Sequence, residues 1–529
     1  MKPNPITIEV IRNALIYTSE EMGIALRNSS YSHNIKERMD HSCAIFDICG
    51  NLLAQAEHIP VHLGSLPWGV KNILEYMRER GEQWQHEDIV IANDPYITGT
   101  HLNDVTLIKP IFFKKKLMGF SSNKAHHADV GGMSPGSISC DAKSLYEEGV
   151  VLPPLKLLKQ GFMNKKVLNG FLKKVRTPDI TSGDLRAQIA AVNLGEKRVG
   201  ELVQKYGIDM LFDVFNNVIY FGEKRMKEKL KIIPDGIYKA RDCLEEIAET
   251  DDLTWIYVTL TKEKDCLNID FSGTHSQVKA PFNAVFGVTL SAACFAVKSI
   301  TDPEGAMNEG LLKPIKVFAP KGSLVNPEKG LPVSGGNLET AQRIADVVFK
   351  ALLQALPDKV PAASYGSMNN VIVGGFDTER KKQWVFYETI GGGSGARPGE
   401  NGIDGIQCNM TNTMNTPIES IEQYYPLLFS NYELRTESYG RGKWRGGCGI
   451  RRAWTLLSSS AKLTILGERN KIPPWGVAGG LSGGLGAYWV KRKNSKQQKL
   501  KSKCNLTLNK GDMIIIETPG GGGYGTPDN

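Results

Sequence analysis

Residues 93–132 read NDPYITGTHLNDVTLIKPIFFKKKLMGFSSNKAHHADVGG, and the residue pattern in this stretch predicts a β-hairpin. Two strand-like runs, 105–113 and 117–126, flank the three lysines at 114–116. Runs rich in β-branched and aromatic residues on either side of a short polar segment are typical of antiparallel strands joined by a tight loop. We therefore expect a hairpin with a three-residue loop.

The loop determines which residues face one another across the hairpin. A loop centred on Lys115 places Asp104 opposite His126 and His101 opposite Asp129. Directly opposed strand residues lie about 4.5–5.5 Å apart, so their side chains can share one ion through bonds of roughly 2.0–2.2 Å. The hairpin therefore predicts a cluster of ligand-type side chains at its open end.

The residue types at this end suit a metal ion. The chain has 9 histidines, and three of them, His101, His126 and His127, lie in this stretch together with Asp104 and Asp129. Two imidazoles and one carboxylate bind Zn, Mn or Fe(II) and leave positions open for water and substrate. The alternative is that these histidines cap a turn and end a strand through bonds to the backbone. We expect an open metal site.

Two other groups of polar residues are candidates for structural roles. His58 and His62 have the i, i+4 spacing of a helical metal pair, but Pro60 disfavours a helix between them, so we expect a packed structural loop. Asp40 follows Arg38 closely, and we expect it to form a structural ion pair, with lining of the metal site as the alternative.

Size and composition indicate a multidomain globular protein. The 529 residues are 41% hydrophobic and 23% charged, and this length corresponds to about three domains. No apolar run reaches the roughly 18 residues of a membrane span, and Glu9 and Arg12 interrupt the pattern that a signal peptide needs. The 9 cysteines form no C-x-x-C pair. We expect a reduced, cytoplasmic protein with no membrane partner.

The periodicity of apolar residues changes along the chain. Helices are expected at 6–26, 67–80, 291–300 and 339–356, and in a long tract at 184–231 that is broken near Gly207 and Gly222. Strands dominate 236–274 and nearly everything after residue 434. These patterns predict the α+β class, as a multidomain mixed helix/sheet chain with a mostly β C-terminal region.

The same patterns suggest three domains. The expected units are an N-terminal metal-site domain at 1–235, a central α+β domain at 236–433 and a C-terminal β-rich, glycine-rich domain at 434–529.

Two glycine-rich segments fit a dinucleotide-binding motif only formally. They are GGGSGA at 391–396 and GGGGYG at 520–525. A dinucleotide site needs a helix to begin directly after such a segment, because the helix N-terminus meets the pyrophosphate. Neither segment can open a helix, and no P-loop motif occurs. We expect no nucleotide site on this chain.

The net charge of +8 is mild for this length. Its largest local source, 491–503, has no aromatic residues between the basic ones, whereas single-stranded nucleic-acid sites combine the two. This segment predicts a solvated hairpin loop and no nucleic-acid partner.

Several motifs in order resemble the hydantoinase B/oxoprolinase family. They are NDPYITGTHLNDVTLIKPIF, KAHHADVGGMSPGS, GGNLETAQRIADVVFKALLQALP, RGGCGIRR, PPWGVAGG and TPGGGGYGTP, and the similarity runs from residue 6 to residue 527. The resemblance implies a divalent metal, Mn or Zn or else Fe, on His101, Asp104 and His126. One departure is Asn103, where relatives often have proline, and it leaves these ligands untouched.

The resemblance also implies two chains with separate tasks. A hydantoinase A-type chain would bind ATP and Mg and phosphorylate the substrate, in a hetero-oligomer of A and B chains. The present chain would then hydrolyse the activated hydantoin, 5-oxoproline or other lactam with water that the metal activates. His127 or Asp129 could accept the proton, and Asp40 is a further catalytic candidate.

Two other functions stay open at this point. The chain could be a subunit of an ATP-dependent ketone carboxylase of the acetone or acetophenone type. It could also be a non-catalytic scaffold that holds the ATP-binding partner, although it retains every expected metal ligand.

Overall fold

The structure is a computed structural model that describes residues 4–56, 58–247 and 253–527. Helices account for 32% of the residues and strands for 27%, in several sheets. The predicted α+β class is therefore confirmed. The outermost residues of the expected terminal domains, 1–3 and 528–529, lie outside the described residues.

The helices of the described chain all precede residue 425. Their bounds are α1 Pro5–Ser29, α2 His33–Lys36, α3 His62–Glu79, α4 Pro95–Thr98, α5 Leu145–Glu148, α6 Lys165–Leu172, α7 Pro178–Tyr206, α8 Ile208–Leu230, α9 Phe286–Thr301, α10 Glu309–Leu312, α11 Ala341–Ala355 and α12 Ile418–Tyr424. A π-helical turn, Gly336–Thr340, runs directly into α11. Among the described residues, no helix combines the length and apolar character that crossing a membrane requires.

The strands of the described ranges form four sheets. Their bounds are β1 His41–Phe46, β2 Leu52–Gln55, β3 Ile89–Ala92, β4 Asp104–Phe113, β5 Lys116–His126, β6 Leu155–Lys159, β7 Phe162–Met163, β8 Gly236–Leu244, β9 Thr254–Glu263, β10 Cys266–Asp270, β11 Ile315–Phe318, β12 Asn370–Asp377, β13 Lys382–Thr389, β14 Leu427–Arg435, β15 Gly449–Leu456, β16 Ser460–Leu466, β17 Ala487–Lys491, β18 Gln497–Leu500, β19 Lys503–Asn509 and β20 Met513–Glu517. The sheet orders are β2-β1-β5-β4-β3-β6-β7, β11-β10-β9-β8, β13-β12-β16-β19 and β14-β15-β20-β17-β18.

The β4–β5 hairpin lies at the centre of the seven-stranded sheet. Asp104 pairs with His126, so the predicted register at the open end is confirmed. The predicted three-residue loop is wrong, because Phe113 pairs with Lys116 and leaves a two-residue turn. The shorter turn alone would shift every pair by one residue. A bulge between the Ile111–Gly119 and Phe112–Leu117 pairs shifts the pairing back by one residue, so the predicted register holds from Ile111 to Asp104.

The centre of this sheet is buried on both faces. Along β1, Cys43 and Ile45 pack into the cluster that contains α1, whereas Ala44 and Phe46 pack into the cluster that contains α3. Successive strand residues point to opposite faces, so both alternating sets are apolar here. The open end of the hairpin therefore lies in the protein interior.

Helix α3 begins earlier than its predicted start. It runs from His62, so the expectation of a structural loop at this residue is wrong, and Pro67 lies inside the helix. The first amides of a helix have no partner within it, and here Ser291 Oγ accepts from the amides of Gly64 and Ser65 at 2.8 and 2.7 Å. This contact from α9 caps α3.

The long helical tract is broken once rather than twice. Gly207 separates α7 from α8 with a φ of 85°, which glycine adopts more easily than other residues. The break predicted near Gly222 is wrong, because this residue lies inside α8. A Cβ there would lie 2.1 Å from Asn308 Oδ1, so this glycine allows a close approach to the helix.

The predicted boundary between residues 433 and 434 marks no gap between sheets. It falls inside β14. One sheet also crosses it, because β12 and β13 precede the boundary and pair in the same sheet with β16 and β19, which follow it. The division into three domains stays a prediction.

The basic segment 491–503, predicted to be only a hairpin loop, also contains β18, which pairs with β17.

Candidate metal centre

Three buried side chains meet at the open end of the β4–β5 hairpin. Asp104 is the first residue of β4, and His126 is the last residue of β5. His101 lies in the turn that precedes β4, where its carbonyl accepts from the Asp104 amide at 3.1 Å. Gly99 ends α4 with a φ of 85° and so allows the sharp change of direction that brings His101 back to the hairpin. None of the three side chains is more than 3% exposed.

The three side chains present one atom each to a common point. Asp104 Oδ1 lies 3.3 Å from His101 Nε2 and 3.3 Å from His126 Nδ1. The two ring nitrogens are 3.2 Å apart. Nitrogens this close beside a carboxylate oxygen need a proton or a cation between them.

The triangle has the dimensions of one face of a metal coordination shell. A tetrahedral ion with bonds of about 2.0–2.1 Å separates its ligands by roughly 3.3–3.4 Å. His101, Asp104 and His126 therefore fit a divalent ion, and they form a group of potential metal ligands in the described chain. Nitrogen and oxygen donors in this ratio suit Zn, Mn or Fe.

His62 borders this group and was missed by the sequence patterns. Its Nε2 lies 3.4 Å from Asp104 Oδ2, and its Nδ1 lies 2.9 Å from Ser42 Oγ. Pro60 lies outside α3, two residues before its first residue, so it did not exclude a helical start at His62. Treating Pro60 as a helix breaker hid the residue.

Asp40 also borders the group. Its Oδ2 lies 3.9 Å from His126 Nδ1, and the residue lines the same cavity. Arg38 does not pair with Asp40 as expected. It donates instead to Tyr387 O at 3.0 Å and to Thr389 Oγ1 at 3.1 Å. Of the two sequence-based interpretations of Asp40, the structure favours a place at the site.

Burial and the surrounding histidines act in opposite directions on Asp104. Burial raises the pKa of a carboxyl group, but the charge of His101 and hydrogen bonds from His101, His126 and His62 hold the pKa of Asp104 well below its ordinary value. Burial lowers the pKa of His126. An ionised carboxylate and a neutral imidazole are the forms that bind divalent metals.

The other two expected site residues lie outside the triangle. His127 Nε2 is 2.9 Å from Gln188 Oε1, and Asp129 pairs with Arg176 at 2.9 Å. The expected position of Asp129 opposite His101 is wrong, because strand pairing ends at the first residue of β4. Asp129 instead accepts from two backbone amides of the following loop at 2.9 and 3.0 Å, so its contacts are those of a loop-stabilising residue.

Asp104 and His126 of the triangle line a small cavity of about 20 Å³, which holds roughly one water molecule. One wall consists of Met410, Thr411 and Thr413. The segment 411–417 contains no helix or strand. Thr413 also borders an outer pocket of about 660 Å³, so a single irregular segment separates the cavity from that pocket.

The described residues contain one further group of potential metal ligands, formed by His86, Glu87 and Glu196. Lys109 Nζ lies 2.7 Å from a carboxylate oxygen of each glutamate. Because Lys109 already forms ion pairs with both acids, the group is better explained as a partly exposed ion-pair network.

The sequence matches known proteins along nearly its whole length. The family model described as Hydantoinase B/oxoprolinase matches residues 4–527. The chain is 50% identical over 522 residues to an uncharacterised protein of Methanocaldococcus jannaschii, covering 99% of this chain and 91% of that protein. It is 34% identical over 541 residues to a candidate B-type component of a D-/L-hydantoinase from a Pseudomonas species, covering 99% and 90%. A 5-oxoprolinase of Dictyostelium discoideum is 35% identical over 529 residues; the match covers 99% of this chain but only 41% of that protein.

Solved structures share the fold. The ATP-dependent caprolactamase of Pseudomonas jessenii superposes with a TM-score of 0.93 at 29% identity, covering 99% of this chain and 92% of that one. A nucleotide-free acetone carboxylase gives a TM-score of 0.92 at 18% identity, covering 99% and 76%, and at this identity the likeness concerns the fold alone. Together with the match to the family model, these comparisons show that the chain belongs to the hydantoinase B/oxoprolinase family.

Proposed function

We propose that this chain is the hydrolytic, B-type component of an ATP-dependent cyclic amide hydrolase of the 5-oxoprolinase or hydantoinase kind. The observation that carries the proposal is the buried triangle of His101 Nε2, Asp104 Oδ1 and His126 Nδ1 beside a small cavity. A metal-fitting group of this kind, in a member of this family, supports hydrolysis at that cavity.

The names of the relatives support a cyclic amide as substrate. Hydantoinase, 5-oxoprolinase and caprolactamase all name activities on rings that contain an amide. The chain spans 90% of the hydantoinase component, whereas it spans 41% of the 5-oxoprolinase. We infer that the remaining part corresponds to an A-type partner chain that binds ATP and Mg, in a hetero-oligomer of A and B chains.

Each residue of the site has a proposed task. His101, Asp104 and His126 would hold a divalent ion, Mn or Zn or else Fe, whose Lewis acidity polarises substrate oxygen and lowers the pKa of water. Asp40, at the edge of the cavity, would accept a proton from the attacking water. His127 would position the end of β5 through Gln188 rather than act as the base, since its Nε2 contacts that amide.

The proposal is tested by reconstitution. The purified chain alone should turn over neither ATP nor 5-oxoproline, hydantoin or caprolactam, whereas adding the A-type chain should give lactam-dependent ADP release with ring-opened product. ATP hydrolysis by the isolated chain would contradict the two-chain scheme. A complex that consumes ATP only with acetone and bicarbonate would identify a ketone carboxylase instead.

A further inference from the structure

One buried side-chain amide oxygen lines the metal-site cavity without a hydrogen-bond partner in the protein. Asn337 is 4% exposed and borders the cavity together with Asp40, Asp104 and His126. Among the described residues that line this cavity, only two buried side-chain atoms make no hydrogen bond within the protein, Asn337 Oδ1 and His126 Nε2. An unpaired buried carbonyl oxygen costs free energy, so its presence beside a reaction site indicates a ligand that donates to it.

The backbone around Asn337 is held firmly in place. The residue lies in the π-helical turn Gly336–Thr340, a rare geometry that is frequent at functional sites. On one side, the Gly336 amide donates to Pro281 O at 2.8 Å. On the other side, Glu339 Oε1 accepts from the Met368 amide at 3.0 Å.

The packing of Gly336 shows how tightly the turn is seated. A Cβ on Gly336 would lie 1.9 Å from Asn283 O, so the turn packs directly against a neighbouring backbone. These contacts anchor the backbone on both sides of Asn337, so its side chain reaches the cavity from a rigid element, as a substrate-positioning group should.

We propose that Asn337 Oδ1 accepts a hydrogen bond from the ring N–H of the substrate and so selects lactams with a free N–H over N-substituted ones. This inference rests on the proposed function. Phosphorylation at the amide oxygen would leave positive charge on the ring nitrogen, and hydrogen bonds from a charged donor are stronger than neutral ones. The contact would therefore tighten as the substrate is activated.

A lactam reaches this acceptor only when the cavity opens. Its present volume of about 20 Å³ is close to that of one water molecule, and a lactam ring is several times larger. The wall at 411–417 lacks the hydrogen-bond ladder of a helix or strand, whereas the turn that carries Asn337 is anchored on both sides. The substrate would displace the wall and meet a preformed acceptor.

The experiment uses two small probes, 2-pyrrolidinone and N-methyl-2-pyrrolidinone, which differ at the ring nitrogen. Binding of each to the full-length chain is measured by ligand-observed NMR titration. We expect the wild type to bind the N–H lactam about tenfold more tightly, which corresponds to roughly 1.4 kcal/mol. Asn337→Leu and Asn337→Ala should remove this preference by weakening binding of 2-pyrrolidinone alone.

Leu338→Ala is the matched control, because Leu338 lies in the same turn and lines the same cavity. It enlarges the cavity without removing the acceptor, so the preference should persist. A preference that survives in both Asn337 variants, or that is lost equally in Leu338→Ala, would overturn the inference and leave the proposed function intact.

If the variants do not fold, the affinities of the wild type for the two probes still test the proposed role of Asn337. Equal affinity for the two probes would overturn the selection by Asn337. Failure of the wild type to bind either probe would overturn the inference of a preformed lactam acceptor, whereas the proposed function is tested separately by the reconstitution.

Discussion

Asp104 and His126 face each other at the open end of the β4–β5 hairpin, with Oδ1 and Nδ1 3.3 Å apart. This pairing depends on the bulge near the opposite end of the hairpin, where Ile111 pairs with Gly119 but the next residue of β4 pairs with Leu117. Without the bulge, the two-residue turn would place Ala125 opposite Asp104. Alanine offers no ligand atom, so the triangle would not form.

The first prediction concerns metal content. The purified chain should hold about one divalent ion, because one triangle in the described chain has metal-like dimensions. His101→Ala and Asp104→Ala should each lose most of it, since two remaining ligands bind far more weakly than three. Elemental analysis of chelator-free protein measures the content directly.

The matched control for metal content is His86→Ala. His86 belongs to the second group of potential ligands, whose two glutamates pair with Lys109, so this variant should keep the ion. Equal metal content in the wild type, His101→Ala and Asp104→Ala would rule out the triangle as the metal site.

The second prediction concerns His62. Its contact with Asp104 Oδ2 orients the carboxylate, so His62→Ala should weaken metal affinity by about 10–100-fold without abolishing it, as outer-shell changes do. His58→Gln is the control, because its ring pairs with Glu20 instead. Competition with a chromophoric chelator gives both dissociation constants. An unchanged affinity in His62→Ala would show that Asp104 needs no such support.

Local sequence patterns were sufficient to predict the hairpin and the meeting of Asp104 with His126. Both follow from short-range alternation and a nearby turn, and the bulge and the shorter turn compensated each other. His101 was placed correctly near the pair, although its expected opposition to Asp129 was wrong. Local periodicity therefore identified the part of the site that one supersecondary unit builds.

The residues that reach the site from distant elements were not predictable in this way. His62 comes from the start of α3, whose capping acceptor Ser291 lies on α9. Asn337 comes from a π-helical turn that depends on Asn283 and Met368. Tertiary contacts of this kind leave no periodic signal in a single sequence.

The third prediction links pH to the turn that carries Asn337. Burial, with repulsion from Glu468, raises the pKa of Glu339 from 4.5 to about 8. The folded protein therefore keeps a proton that the unfolded chain has released. Its contribution to the free energy of unfolding is complete below pH 4.5 and is lost as the pH rises to about 8, by up to about 1.4 kcal/mol per pH unit.

Glu339→Gln should remove this dependence, because glutamine resembles the neutral acid in shape and keeps the acceptor for the Met368 amide. Denaturant unfolding of both proteins is measured between pH 4.5 and pH 8. The free energy of unfolding of the variant should rise relative to that of the wild type as the pH rises. Glu400→Gln, at an exposed pair with Arg397, should leave the slope unchanged. If the free energy of unfolding has the same pH dependence in the wild type and in Glu339→Gln, Glu339 does not hold this proton in the folded protein.

The fourth prediction concerns the coupling between ATP use and hydrolysis. If the partner chain phosphorylates the lactam and this chain hydrolyses it, His126→Ala should damage the second step more than the first. The reconstituted complex should still release ADP while forming little ring-opened product, because His126 contributes to the site only after the phosphoryl group is in place. His86→Ala should keep the wild-type ratio of product to ADP. Measuring ADP and ring-opened product in one reaction gives that ratio. If His126→Ala loses ADP release and product formation in proportion, the triangle acts in activation or in assembly of the complex rather than in hydrolysis.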